Sequence, residues 1–180
     1  MKDEKLKKEF ENILSILNPD WKNDLDMKDT PERLSRMYKH FFRKEDPTIH
    51  FSKIFPSENK NMIVVKDIRC SGICPHHLLP VTYKIHIAYK PNGWVLGLSK
   101  FARIAIAVTS FPKLQENITL EIANIIYKNL KPRGVMVLVE GVHDCMRCRG
   151  VQQDSRVQTS AVCGSFTDTE KEFFLSNIKG

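Results

Sequence analysis

The sequence predicts an α+β fold: a four-stranded antiparallel sheet carrying helices on one face, preceded by an N-terminal helical arm. Three observations predict it. Leu6, Phe10, Ile13, Leu14 and Leu17 recur at helical spacing near the amino terminus. Tyr83 to Tyr89 alternates as a strand does, and Val135-Met136-Val137-Leu138-Val139 reads as a buried strand. Two helical patterns lie between those strand signals. The main body therefore runs strand, strand, helix, helix, strand, strand, an order that packs as one sheet under a helical layer.

Taken in order, Asn18-Pro19 ends the first helix. Thr30-Pro31 opens the second, as an N-cap followed by proline at the first helical position, with Leu34, Met37, Tyr38 and Phe41 on one side. The polar, proline-containing stretch from Lys44 to Lys60 reads as a connector, which gives an arm and connector over 1–60 and a main body over 61–180. Met62 to Arg69 is the first strand of the body, and Pro91-Asn92-Gly93 closes the second. Gly97-Leu98-Ser99-Lys100 opens a helix with Ser99 as N-cap and Phe101, Ile104 and Val108 inward. The next helix runs from about Gln115 to Leu130, burying Ile118, Ile122, Ile125 and Ile126, and Lys131-Pro132-Arg133-Gly134 stops it. Strands follow over Val135 to Val142 and roughly Val157 to Val162. Thr167-x-x-Glu170 is a capping box for a last helix that buries Phe173, Phe174 and Ile178. So small a sheet leaves two edges to protect, commonly by pairing with another subunit, so an oligomer is expected.

Composition narrows the function. A chain of 180 residues is most simply one functional domain with a real core. No apolar run approaches a membrane span, and the charged amino terminus has no signal-peptide core. The net charge of +7 comes from scattered basic residues without an aromatic-interleaved motif, so a nucleic-acid partner is not expected; a solvated basic surface is the plainer reading and an anionic small substrate the sharper alternative. Five cysteines, some in metal-ligand patterns, point to a reducing cytoplasm rather than a disulfide framework.

The chemistry concentrates in two clusters, Cys74-Pro75-His76-His77 and His143-Asp144-Cys145-Met146-Arg147-Cys148-Arg149-Gly150. Thiolate with imidazole suits zinc. One reading is a structural ribbon, with Cys74-x-x-His77 and Cys145-x-x-Cys148 as two knuckles. The other follows from strand alternation: extended backbone continuing past Val142 puts His143, Cys145 and Arg147 on one face and Cys148 on the other. Cys74, His77 and Cys145 are then three ligands of an open site, and His76 and His143 are free imidazoles beside it, suited to general acid–base work.

Ser99, Lys100 and Arg103 sit in the first turns of a helix, where backbone N–H groups and the dipole favour an anion such as phosphate. A solvated helix start is the plainer alternative. Gln115-Glu116 opens another helix; the acid is ordinary dipole complementation or, if buried, an acceptor for a guanine edge. Arg149 is either a surface arginine or a positive charge brought to the same pocket.

Jointly, Thr30-Pro31-Glu32-Arg33, Cys74-x-His76-His77, Gly97-Leu98-Ser99-Lys100 with Arg103, Gln115-Glu116, and His143-x-Cys145 leading to Arg149-Gly150-Val151-Gln152 resemble GTP cyclohydrolase I over nearly the whole chain. The resemblance implies the tunnelling fold, subunit sheets joined into a barrel, and a homodecamer with active sites shared between subunits. It implies zinc on Cys74, His77 and Cys145, with proton transfer by His76 and His143. It assigns Gln115 and Glu116 to the guanine of GTP, and Ser99, Lys100, Arg103, Arg149 and Arg33 to the triphosphate. The implied reaction forms 7,8-dihydroneopterin triphosphate and formate. A relative that stops after ring opening, or a non-catalytic zinc-stabilised nucleotide-binding protein, are the other expectations. The sequence departs from the family at Pro75, Arg36, Ser110 to Lys113, and Gln153, where the segment on to Gly164 is about one residue short.

Overall fold

A computed structural model describes residues 2–178. Two compact units make up the chain, Met1–Arg43 and Lys44–Gly180. In the first, α1 (Lys2–Leu17) and α2 (Thr30–Phe41) pack through Phe10 and Tyr38, whose rings stack at 5.5 Å. Trp21 is buried between them in sequence and donates its indole N–H to Ser15 Oγ at 3.0 Å. Thr30 is the first helical residue rather than the cap, a position taken by Asp29 without a side-chain bond.

The second unit contains β1 (Ile54–Pro56), β2 (Ile63–Ile73), β3 (Pro80–Lys90), β4 (Trp94–Leu96), α3 (Leu98–Thr109), α4 (Gln115–Leu130), β5 (Gly134–His143), α5 (Asp144–Arg147), β6 (Arg156–Gly164) and α6 (Asp168–Ile178). β2, β3, β5 and β6 form one antiparallel sheet in that order, leaving β2 and β6 as its edges. The expected body of strand, strand, helix, helix, strand, strand is thus observed. The stretch read as a connector is more than a loop. It holds a 3-10 turn over Pro47–Phe51 and strand β1, which pairs with β4, and its Phe51 and Ile54 pack against the core.

Alternation on the two central strands sorts the layers. Val81, Tyr83, Ile85, Ile87 and Tyr89 of β3, with Val135, Val137 and Val139 of β5, face α3 and α4 and make the main core. Ala88 and Met136 point to the opposite face and pack with Phe174 of α6. Phe173, expected to be buried, is exposed. The capping box of α6 forms in both directions: Thr167 N–H donates to Glu170 at 2.8 Å and Glu170 N–H to Thr167 Oγ1 at 3.2 Å. α4 ends where Lys131 enters the left-handed region at φ 50.

Candidate active site

The residues expected to be metal ligands meet at one end of the sheet. Cys74 follows β2 and opens the tight reversal into β3, closed by Leu78 N–H to Cys74 O and Cys74 N–H to Leu79 O, both 2.9 Å. The reversal buries Cys74 while His76 and His77 stay exposed on it. β5 pairs with the far side of β3, and the register sets His143 opposite Val81, beside that reversal.

The chain after His143 does not stay extended. It turns at once into the single-turn helix α5, so the alternation expected for residues 143–148 does not apply. Asp144 is at its start; Arg147 pairs with Asp144 at 3.9 Å and Asp154 at 3.6 Å. Cys145 nonetheless reaches Cys74. Cys148 caps the turn and is exposed, outside the group.

Cys74, His77 and Cys145 place one ligand atom each within 4.8 Å of one another and so form a group that could hold a metal ion. A tetrahedral zinc with ordinary bond lengths sets sulfur and nitrogen about 3.6 Å apart, and Cys74 Sγ lies 3.8 Å from His77 Nδ1. The donor set fits in charge as well. Burial and the adjacent Cys74 thiol both push the Cys145 thiol upward, so two neighbouring thiolates need a cation between them. His76 Nδ1 is 4.0 Å from Cys74 Sγ but lies outside the three-residue group.

His143 packs edge-on against buried Tyr83, ring centroids 6.3 Å apart. Burial holds its imidazole below the ordinary range, opposed by the nearby Glu116 carboxylate. Glu116 is exposed within the chain, not buried as the guanine-binding expectation supposed, and is free to face a ligand from the first turn of α4. Arg149 lies near enough to Cys145 to favour its thiolate.

Gln115 behaves differently from the sequence expectation. Its side chain is buried and committed inside the chain. The amide nitrogen donates to Val157 O at 2.9 Å, Val139 O at 3.1 Å and Thr159 Oγ1 at 3.2 Å, while Oε1 lies 2.8 Å from His143 Nε2. The N–H donors of the Gln115 amide are thus taken up within the chain, and its oxygen is turned toward His143. Sequence reasoning could not find this, because the partners sit on β5 and β6.

The residues expected to bind an anion stand elsewhere. Tyr89, at the far end of β3, packs against Phe101 of α3 at 5.1 Å. The other end of α3 reaches the metal side: a Cβ at Gly72, which pairs with Val81, would lie 3.1 Å from Thr109 O. Val81 to Tyr89 spans roughly 25 Å of strand at the usual rise. Ser99, Lys100 and Arg103 therefore lie at the opposite end of the sheet from Cys74 and His143. Ser99 is no cap; Gly97 holds that position without a side-chain bond. His50, unremarked in the sequence, joins this group: burial, Lys100 and Arg103 together hold it below the ordinary imidazole range. Arg33 is in the helical unit, 3.7 Å from Asp29.

Among the described residues no helix is long and apolar enough to cross a membrane. Compared with known proteins, residues 6–179 match the profile of the GTP cyclohydrolase I family. A GTP cyclohydrolase 1 of Listeria welshimeri is 48% identical over 79% of this chain and 78% of its own length. Those of Desulforamulus reducens and Pelotomaculum thermopropionicum are 44% and 47% identical, covering 92% and 86% of this chain and 90% and 85% of theirs. Among solved structures, an archaeosine synthase QueF-Like in the apo form aligns with TM-score 0.48 and 18% identity, over 59% of this chain and 96% of that one.

Proposed function

Because the chain belongs to the GTP cyclohydrolase I family and so is an enzyme acting on GTP, we propose that it converts GTP and water to 7,8-dihydroneopterin triphosphate and formate, with zinc. The observation that carries this is the convergence of Cys74, His77 and Cys145 beside an unliganded His143. Zinc held there supplies Lewis acidity and lowers the pKa of water at an open coordination position.

The protein's own groups do the rest. His143 and His76 move protons at the imidazole ring of guanine: one delivers a proton to N7 as water adds to C8, and the ring opens. The formamide is then hydrolysed, releasing formate, and the ribose rearranges and recloses on the freed amines. The Glu116 carboxylate accepts from the N–H donors of the guanine edge. Gln115 contributes its backbone N–H, which in the first helical turn has no intrahelical acceptor. Arg149 brings positive charge to the phosphates.

A single copy of the chain does not complete such a site. The helix start bearing Ser99, Lys100 and Arg103 lies toward the far end of β3, which spans roughly 25 Å from Val81 to Tyr89, and this separation supports a site that takes guanine from one copy and triphosphate from another. The unpaired edges of β2 and β6 suit sheet joining between copies. A homodecamer with shared sites accommodates both facts, and Arg33 of the helical arm is a further candidate for the phosphates. Free thiols suit a reducing cytoplasm.

Incubating the zinc-loaded protein with GTP and quantifying formate and, after oxidation, fluorescent neopterin tests the proposal. Equal amounts support the full reaction. Formate without neopterin means a reaction stopping after ring opening, and neither product from folded, metal-loaded protein overturns the assignment.

A further inference from the structure

We propose that Gln115 is a positioning residue that locks His143 in the tautomer with hydrogen on Nε2, leaving Nδ1 as its proton-accepting nitrogen. The inference rests on the proton-transfer role proposed for His143 above.

The argument is one of forced orientation. An amide side chain can ordinarily be turned over, exchanging its oxygen for its nitrogen. Here it cannot. The end of Gln115 next to Val139 O at 3.1 Å and Val157 O at 2.9 Å must be the nitrogen, because two backbone carbonyls only accept. The end 2.8 Å from His143 Nε2 must then be the oxygen, which also only accepts. A hydrogen on Nε2 is the only way to make that contact a bond.

The surroundings hold the orientation. Thr119 donates to the Gln115 backbone carbonyl at 2.8 Å and is thereby left to accept from Thr159, whose oxygen accepts from the Gln115 amide. Gln115 and Thr119 are buried, so water does not compete. Gly141 makes the room: a Cβ there would stand 3.0 Å from His143 Nε2 and would overlap Gln115 Oε1. The arrangement spans α4, β5 and β6, tying the helical layer to two strands of the sheet.

A neutron structure of the metal-loaded enzyme reads the tautomer directly, without any mutation. Deuterium on His143 Nε2 is expected, whether or not Nδ1 also carries one; a bare Nε2 overturns the proposal. Kinetics test its consequence. Gln115→Met keeps the bulk but not the bonds, and should lower kcat about 10–100-fold with KM nearly unchanged. In a His143→Ala background the same change should cost nothing further, because Gln115 acts through His143. An unchanged kcat, an equal cost in both backgrounds, or a loss confined to KM each overturn it, the last restoring a direct contact with guanine. If His143→Ala alone leaves kcat intact, the proton-transfer role fails instead, while the neutron map still judges the tautomer.

Discussion

Gly141→Ala adds one methyl group where the structure has no room for it. Gly141 sits between Glu140 and Val142 on β5, and its Cβ would meet Gln115 Oε1, Gln115 Cδ at 3.0 Å and His143 Nε2 at 3.0 Å. The backbone itself does not resist alanine, since Gly141 is absent from the positive-φ glycines. The cost is therefore steric. Oε1 must retreat by roughly 1 Å to reach an ordinary contact distance. From 2.8 Å, such a retreat takes it beyond hydrogen-bonding range of His143. Overpacking costs about 1–3 kcal/mol and the lost bond about 1 kcal/mol more. At about 2–4 °C per kcal/mol for a chain of this size, the melting temperature should fall by about 4–16 °C at fixed protein concentration. Because the displaced group is the one that orients His143, kcat should drop about 10–100-fold while KM holds. Gly93→Ala is the control, with φ at +79 and nothing within 4 Å: it costs about 1 kcal/mol in backbone strain and should leave kcat alone. A Gly141→Ala enzyme with the parent's melting temperature and kcat would refute the reasoning.

Three further expectations follow from the same geometry. Cys145→Ala should lose bound zinc and activity, whereas Cys148→Ala should keep one zinc per chain by metal analysis; equal loss from both would make the site a closed four-ligand one. Co-assembling Cys145→Ala chains with Lys100→Ala chains should restore about a quarter of the parent activity, since random mixing pairs two intact halves at one site in four; no restoration means that both halves work within one copy. Lys90 and the Thr167 N–H hold the Glu170 carboxyl below its ordinary range, so the folded chain binds fewer protons there than the unfolded one. The stability from this contact is present above the ordinary carboxylate pKa and is lost as pH falls through the lowered one. The melting temperature should therefore depend less on acid pH in Glu170→Gln, and an unchanged dependence would dismiss the contact.

Where a signal is local, the sequence was legible. The boundaries of α4 follow from its apolar spacing and from Lys131-Pro132-Arg133-Gly134, and the structure returns them as Gln115–Leu130. Thr167 and Glu170 declared their reciprocal cap in four residues. Cys74, His77 and Cys145 stood out because thiols and imidazoles seldom cluster by chance, and they do converge. What failed was extrapolation. Continued alternation past Val142 is a valid rule for a strand, but His143 ends this one and α5 follows. Ser99 has the chemistry of a cap and lies inside the helix, because Gly97 adopts the extended backbone first. Gln115 was the hardest. A polar residue at a helix start looks the same whether it faces solvent or bridges two strands, and only the sheet register brings Val139 and Val157 beneath it.

The site divides its tasks between rigid and turning parts of the chain, and that division has a physical logic. The candidate metal ligands come from a reversal and a single helical turn, where small adjustments of backbone can bring Cys74, His77 and Cys145 to the distances an ion imposes. The orientation proposed for His143 tolerates no such adjustment, since hydrogen bonds weaken steeply with angle and distance. It is accordingly built on β5 and α4, with Gln115 tied to two strands at once. A metal can organise flexible ligands by its own binding energy, whereas a neutral histidine can be oriented only by its surroundings. The glycine at 141, the buried amide at 115 and the threonine pair at 119 and 159 are what a rigid sheet layer needs to supply that orientation. Substitutions of Cys74 and His77 on the reversal should accordingly change metal affinity first, and those at 115, 119, 141 and 159 should change turnover at unaltered metal content.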